Sequence, residues 1–166
     1  MRVIPCALRS MAWPVRGNGF YEDSFDYPAL RSALLNPLGP GGNGRHRSAL
    51  FDQTTDSAVI GEPRDAGADA ILLFDGLFLL RPEIGACWDL HVFLDVPFGE
   101  TLQRMLVRDA RSGLSDDDVR RRFAVRYRPG EERYLREMRP RERAAIVIDN
   151  TDPAQPAIVH DRIARG

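Results

Sequence analysis

Residues 70–76, Ala-Ile-Leu-Leu-Phe-Asp-Gly, restrict the folds open to this chain more than any other stretch. A short apolar run bounded by turn residues reads as a strand buried on both faces. Such strands belong to parallel sheets, and open sheets of that kind place ligands at the carboxyl ends of their strands. The run therefore predicts a strand over 70–75 that delivers Asp75 to such an edge. A carboxylate there is suited to holding Mg²⁺ through water beside a phosphate. The same residue could simply end the strand and begin a turn with Gly76.

Two more apolar runs end in the same way, His91–Asp95 and Ala144–Asp149. Pro97 and Gly99 open a helix expected over about 100–110, which Ser112-Gly113-Leu114 breaks. Ser115, with Asp118 three residues on, forms a capping-box-like start to another helix. Pro129-Gly130 is expected to separate that helix from a further one over about 131–139. A terminal helix is expected from near Asp152. Upstream, Phe25, Leu30, Leu34 and Leu35 suit an amphipathic helix with Ser24 or Asp26 near its cap and Pro37 at its end. Residues 48–52 and 58–60 read as a small hairpin. Strands alternating with helices imply an α/β fold, a parallel sheet covered by helices. Residues 1–20 carry no clear period and read as a leader, and 21–166 as a single domain.

Composition narrows the function classes. The chain has 166 residues, 43% of them hydrophobic and 28% charged, which is enough to bury one core. A formal net charge of −1 gives no overall attraction to nucleic acid or to an anionic membrane. No apolar run approaches the roughly 18 residues of a membrane span. Two cysteines, Cys6 and Cys87, are too few for a disulfide framework, so a cytoplasmic, reduced protein is expected. All 23 basic residues are arginine; there is no lysine.

The arginines concentrate between Arg104 and Arg143, 13 of them against 8 acids. Arg104, Arg108 and Arg111 fall on one helix face, where guanidinium forks could clamp phosphates. The plain alternative is a solvated face with Arg–Glu pairs such as Glu132 with Arg136. The interleaved acids and the lack of an aromatic platform argue against nucleic acid. Tyr21-Glu22-Asp23-Ser24-Phe25-Asp26-Tyr27 mixes aromatics with carboxylates, a composition that could bind a base and sugar hydroxyls or cap a helix. Gly39–His46 imitates a G-x-x-x-x-G-K-[ST] loop with Arg45 and His46 in the last two places. It is expected to lie after a helix and before a strand, the reverse of the order that aims amides at a phosphate.

Taken in order, these pieces resemble the uridine kinase-like members of the P-loop nucleoside kinases, over about residues 20–153. Phe25-Asp26-Tyr27-Pro28, Leu50-Phe51-Asp52, Leu72-Leu73-Phe74-Asp75-Gly76, His91–Asp95, Leu102 to Arg108-Asp109 and Ala145–Ile148 carry the resemblance. The family implies phosphorylation of a nucleoside 5′-hydroxyl by ATP or GTP with Mg²⁺, under a mobile lid, here about 104–140. By that likeness Asp75 is the magnesium-side acid, and Asp23 or Asp26, with Tyr21, binds the nucleoside. Phe51 and Asp52 flank its base, Arg104, Arg108 and Arg111 serve the phosphates, and Asn150 and Asp152 lie near the nucleotide base.

The departures are equally specific. Asp replaces Glu at 75, while Met105 and Leu114 stand near positions of expected lid arginines. The family's first strand, its P-loop and its lysine have no counterpart upstream of Gly17. The resemblance therefore implies a truncated product or one half of a split protein, inactive alone. Alternatives are a non-catalytic nucleoside- or phosphate-binding protein and an Arg-rich interaction module; self-association into a homo-oligomer stays open. Without the central strand, the strands at 70–75 and 91–95 would have unpaired edges. Residues 2–8 could fill the gap, although Pro5 lacks the N–H that a central strand needs.

Overall fold

The computed structural model describes residues 2–3, 19–47, 51–52, 57–58, 62–67 and 69–163. In chain order the elements begin with β1 (Arg2–Val3), α1 (Gly19–Asp23), α2 (Tyr27–Leu30), a π-helical turn Arg31–Leu35 and α3 (Asn36–Leu38). The short strands β2 (Arg45–His46), β3 (Phe51–Asp52), β4 (Ser57–Ala58), β5 (Arg64–Asp65) and β6 (Leu72–Leu73) follow. After them come β7 (Val92–Asp95), α4 (Phe98–Ala110), α5 (Asp116–Arg122) and a second π-helical turn, Phe123–Tyr127. The last elements are α6 (Arg128–Met138), α7 (Pro140–Arg143), β8 (Ile146–Asp149) and β9 (Ala157–Asp161). Among the described residues no helix is long and apolar enough to cross a membrane.

The chain forms two compact units. The first holds β1 and the chain from Glu22 to Cys87; the second holds α1 up to Tyr21 and the chain from Trp88 onward.

In the first unit, β1 pairs in parallel with β6, Arg2 beside Leu72 and Val3 beside Leu73. The slot beside β6 is thus filled from the segment read as leader, by two residues that precede Pro5 and keep their N–H groups. The expectation of a strand buried on both faces is corrected here. Ile71 is 66% exposed and Leu73 49%. Two residues of pairing form a ribbon too narrow to be covered on both sides. Of the expected hairpin, β3 pairs antiparallel with β4, while residues 48–50 and 59–60 lie outside the described residues; β2 and β5, on either side of it, form a second antiparallel pair. Phe78, Leu80 and Ile84 are buried in this unit together with Tyr27, Leu34 and Leu35.

In the second unit β7 and β8 run parallel, Asp95 beside Asp149, and β9 returns antiparallel to β8. The sheet is therefore mixed, and the expected terminal helix is a strand. Pro153 and Pro156 remove two helical donors near its start. The turn at 149–155 is closed by Asx bonds: Thr151 N–H donates to Asp149 Oδ1 and Ala154 N–H to Asp152 Oδ1, both at 2.9 Å. The β-branched Ile158-Val159 that follows suits a strand. Met105 and Leu106 of α4 pack with Val119 and Phe123 to form the core of this unit.

The start of α5 matches the sequence. Asp118 N–H donates to the Ser115 side chain at 3.2 Å, as the capping pattern predicts. Pro129-Gly130, however, does not divide the helices. The chain is helical from Asp116 to Met138, passing from α5 through the π turn into α6. Pro129 falls two residues past that turn, and Pro37 falls two residues past the other. A π turn widens the ladder where a proline ring would strike the carbonyl four residues back, so each ring is accommodated without a break.

Candidate functional site

Each unit carries part of the candidate set. In the first, the acid-bearing segment 22–27 and the turn that follows β6 are joined through aromatic rings. Phe25 stacks on Tyr27 at 5.6 Å and meets Phe78 edge-on at 5.9 Å. Phe78 is 2% exposed and has a φ of 61°, a left-handed value that a bulky residue holds only when its surroundings enforce it. The four-residue step from Asp75 to Phe78 thus ends in a buried anchor. Tyr27 lies under the Arg81 guanidinium at 5.2 Å, and Arg81 pairs with Glu83. Arg31 donates to Glu83 O at 2.9 Å and to Cys87 Sγ at 3.3 Å, holding the following turn.

Around this anchor the predicted acids differ in duty. Asp26 accepts from Ala29 N–H at 3.0 Å and caps α2. Asp23 and Asp75 are exposed. Phe51 and Asp52 stand in β3, and their side chains lie outside the described residues. The Gly-rich stretch runs from α3 to β2, the order opposite to a phosphate-binding loop. Gly42 is needed there because a Cβ would fall 2.2 Å from Pro37 O.

In the second unit, the carboxyl ends of β7 and β8 gather Asp95, Asp149, Asn150 and Asp152. Asn150 N–H donates to Asp95 O at 3.0 Å. Arg104 reaches over from α4 and donates to Asn150 O at 2.5 Å and Thr151 O at 3.0 Å. Asp95 forms an ion pair with Arg141. The Asp149 carboxyl is held below its usual range, chiefly by its bonds to Thr151, with the Arg141 charge adding to them.

Arg104, Arg108 and Arg111 do share a face of α4. With Gln103 and Val107 they line an open groove of about 360 Å³. Arg104 is committed to the β8–β9 turn, and Arg108 to Asp109 at 2.6 Å. That bond raises the Arg108 pKa and lowers that of Asp109.

Tyr21 is 3% exposed. Its ring faces Tyr134 at 6.5 Å and lies under Arg133 at 4.8 Å, so α1 is bound to α6. Arg141, Arg81 and Phe78 were missed by the sequence reading. Only Phe78 left a signal, because the apolar run resumes at 77–80 after Asp75-Gly76.

No protein-family model matches this chain, and no curated protein matches it by sequence. Among solved structures it is similar to one described as that of a possible uridine kinase from Bacillus stearothermophilus. The identity is 20% and the TM-score 0.59, over 87% of this chain and 71% of that one. At such identity the likeness is one of fold alone.

Proposed function

We propose that these 166 residues carry the acceptor side of a uridine kinase-like phosphotransferase and do not turn over by themselves. The observation that supports this most is the aromatic joint within the first unit. Through Phe25 and Phe78 it ties the segment bearing Asp23 and Asp26 to the turn after β6 that bears Asp75. A kinase of this type needs its nucleoside-binding acid and its magnesium-side acid on one rigid support.

ATP or GTP is the proposed donor, a nucleoside or other small hydroxyl compound the acceptor, and Mg²⁺ the metal. Among the described residues no cluster of three or more His, Cys, Asp or Glu is present. A lone exposed Asp75 fits Mg²⁺, which keeps most of its waters and shares phosphate oxygens with one or two carboxylates. When bound, the ion would offset charge on the transferring phosphoryl group. Asp23 would hold the ribose hydroxyls, and Asn150 and Asp152 would border the base of the nucleotide. Of the arginines facing the groove, Arg111 is the one proposed for phosphate, since Arg104 and Arg108 already have partners.

The lack of lysine removes the usual cationic cradle for the β- and γ-phosphates. The purified chain is therefore expected to show no ATP-dependent phosphorylation of uridine or cytidine; robust turnover would overturn that expectation. A nucleoside at about 100 times its Kd should add roughly 2.7 kcal/mol, or about 5–10 °C in Tm. Asp23→Asn should abolish that rise without lowering the unliganded Tm. A rise unaffected by Asp23→Asn would remove the acceptor assignment. The lysine-free composition also favours a second reading, a nucleoside-binding protein without catalysis. In that case nucleosides would raise Tm and ATP with Mg²⁺ would not.

A further inference from the structure

The turn between β8 and β9 carries Asn150 and Asp152, the pair proposed to border the nucleotide base. Which base it can take depends on the donors and acceptors that folding leaves unspent, because a base is read by its hydrogen-bonding edge. Adenine presents a donor, its N6 amino group, beside an acceptor, N1. Guanine presents the acceptor O6 beside two donors, N1–H and the N2 amino group. The turn's own donors are nearly all spent. Asn150 N–H donates to Asp95 O and Gln155 N–H to Asp152 O. Thr151 N–H and Ala154 N–H go to the Asp149 and Asp152 carboxylates, and Pro153 has no N–H. Of residues 150–155, only Asp152 keeps a backbone N–H outside these bonds. The carbonyls beside it are taken as well. Arg104 donates to Asn150 O and Thr151 O from α4, and Asp152 O accepts from Gln155. An adenine edge calls for a free N–H and a free C=O side by side, and the turn does not offer that pair. What remains is carried by side chains. Asp152 is exposed, and its Oδ2 has no part in the bond to Ala154. Asn150 adds a side-chain amide, which can donate as well as accept.

We propose, resting on the placing of the base in the proposed function, that this turn reads guanine, so that the nucleotide it takes is a guanosine phosphate in preference to an adenosine phosphate. The Asp152 carboxylate accepts N1–H through one oxygen and the N2 amino group through the other. The Asn150 amide donates to O6. A carboxylate oxygen has more than one lone pair, so Asp152 Oδ1 keeps its bond to Ala154 N–H while it also accepts from the base. Adenine in the same place would set its N1 lone pair against the carboxylate, acceptor against acceptor. Arg104 is then a specificity-determining residue that need not touch the base, because it withdraws two carbonyls from use.

The test is a titration of the whole chain with the monophosphates of guanosine, inosine, adenosine and xanthosine, followed by the protein's amide NMR shifts. The guanosine compound should bind about fivefold or more tightly than the adenosine one, the discrimination of one bidentate pair at an exposed site. The inosine compound, which lacks the N2 amino group, should fall between them. The shifts should centre on residues 150–155; shifts confined to other residues would overturn the proposal. Asp152→Asn presents one acceptor and one donor, the complement of xanthine N1–H and O2, and should make the xanthosine compound bind more tightly than the guanosine one. Equal weakening of all four by Asp152→Asn would show a merely structural residue and overturn the proposal. Adenosine monophosphate binding as tightly as guanosine monophosphate would overturn it while leaving the turn as a base site. No binding of any of the four would remove the base site itself, and the guanine assignment with it.

Discussion

Glu131, in the first turn of α6, is largely withdrawn from water with no charge to compensate it, and this burial pushes its carboxyl up to about 7. In the unfolded chain a glutamate titrates near 4.3. Between those values the folded state binds the extra proton, so stability should fall as pH rises from about 4.3 to about 7. The contribution is fully present below that window and lost above it. Glu131→Gln should remove the slope, raising stability at pH 8 by about 1–2 kcal/mol once solvent screening is allowed for. Urea titrations of both proteins across that range would check it, and parallel slopes would count against the assignment. Beside it, Gly130 is the point where α6 meets α1. A Cβ there would lie 3.0 Å from Phe20 Cδ1 and 3.4 Å from Tyr21 N. Gly130→Val adds bulk against backbone without the helix preference of alanine, and should cost about 2 kcal/mol or more. Loss of the Tyr21 near-ultraviolet signal would show that α1 had been displaced.

At the scale of elements, caps and breaks of local origin were legible in the sequence, and the continuity of the helices was not. Ser115 and Asp118 announce α5 because a cap is decided within four residues. Ser115→Ala should cost about 1 kcal/mol, measured by denaturant unfolding. Pro129 reads as a break only if the preceding turn is α-helical. Since the preceding turn is π-helical, Pro129→Ala should alter stability by less than about 1 kcal/mol, in contrast to the roughly 3 kcal/mol of a mid-helix proline. A gain of that larger size would show that the wide turn does not relieve the ring. The same limit explains β9. The apolar periodicity after Asp152 is too short to separate helix from strand, and pairing with β8 decides it.

For the whole molecule, the order and spacing of weak motifs carried the fold likeness. No single motif was enough, yet a structure described as that of a possible uridine kinase is similar in fold at 20% identity. The candidate residues were less legible. Tyr21 reads as a ligand-binding ring because an aromatic beside acids is ambiguous, and it is α6 that buries it. Arg104 reads as a phosphate clamp from its helix face, while its reach to Asn150 O depends on a turn 46 residues away. Asp75 lies two residues beyond β6, which spans only Leu72–Leu73 instead of the expected 70–75 and is half-uncovered. What the sequence determined by itself was the local grammar: caps, turn glycines, apolar runs and the positions of carboxylates at their ends. Only the tertiary structure decided which strand pairs with which and that Arg2–Val3 lies beside β6. Caps and turns are settled by groups a few residues apart, whereas burial and pairing depend on partners that the chain brings together only on folding.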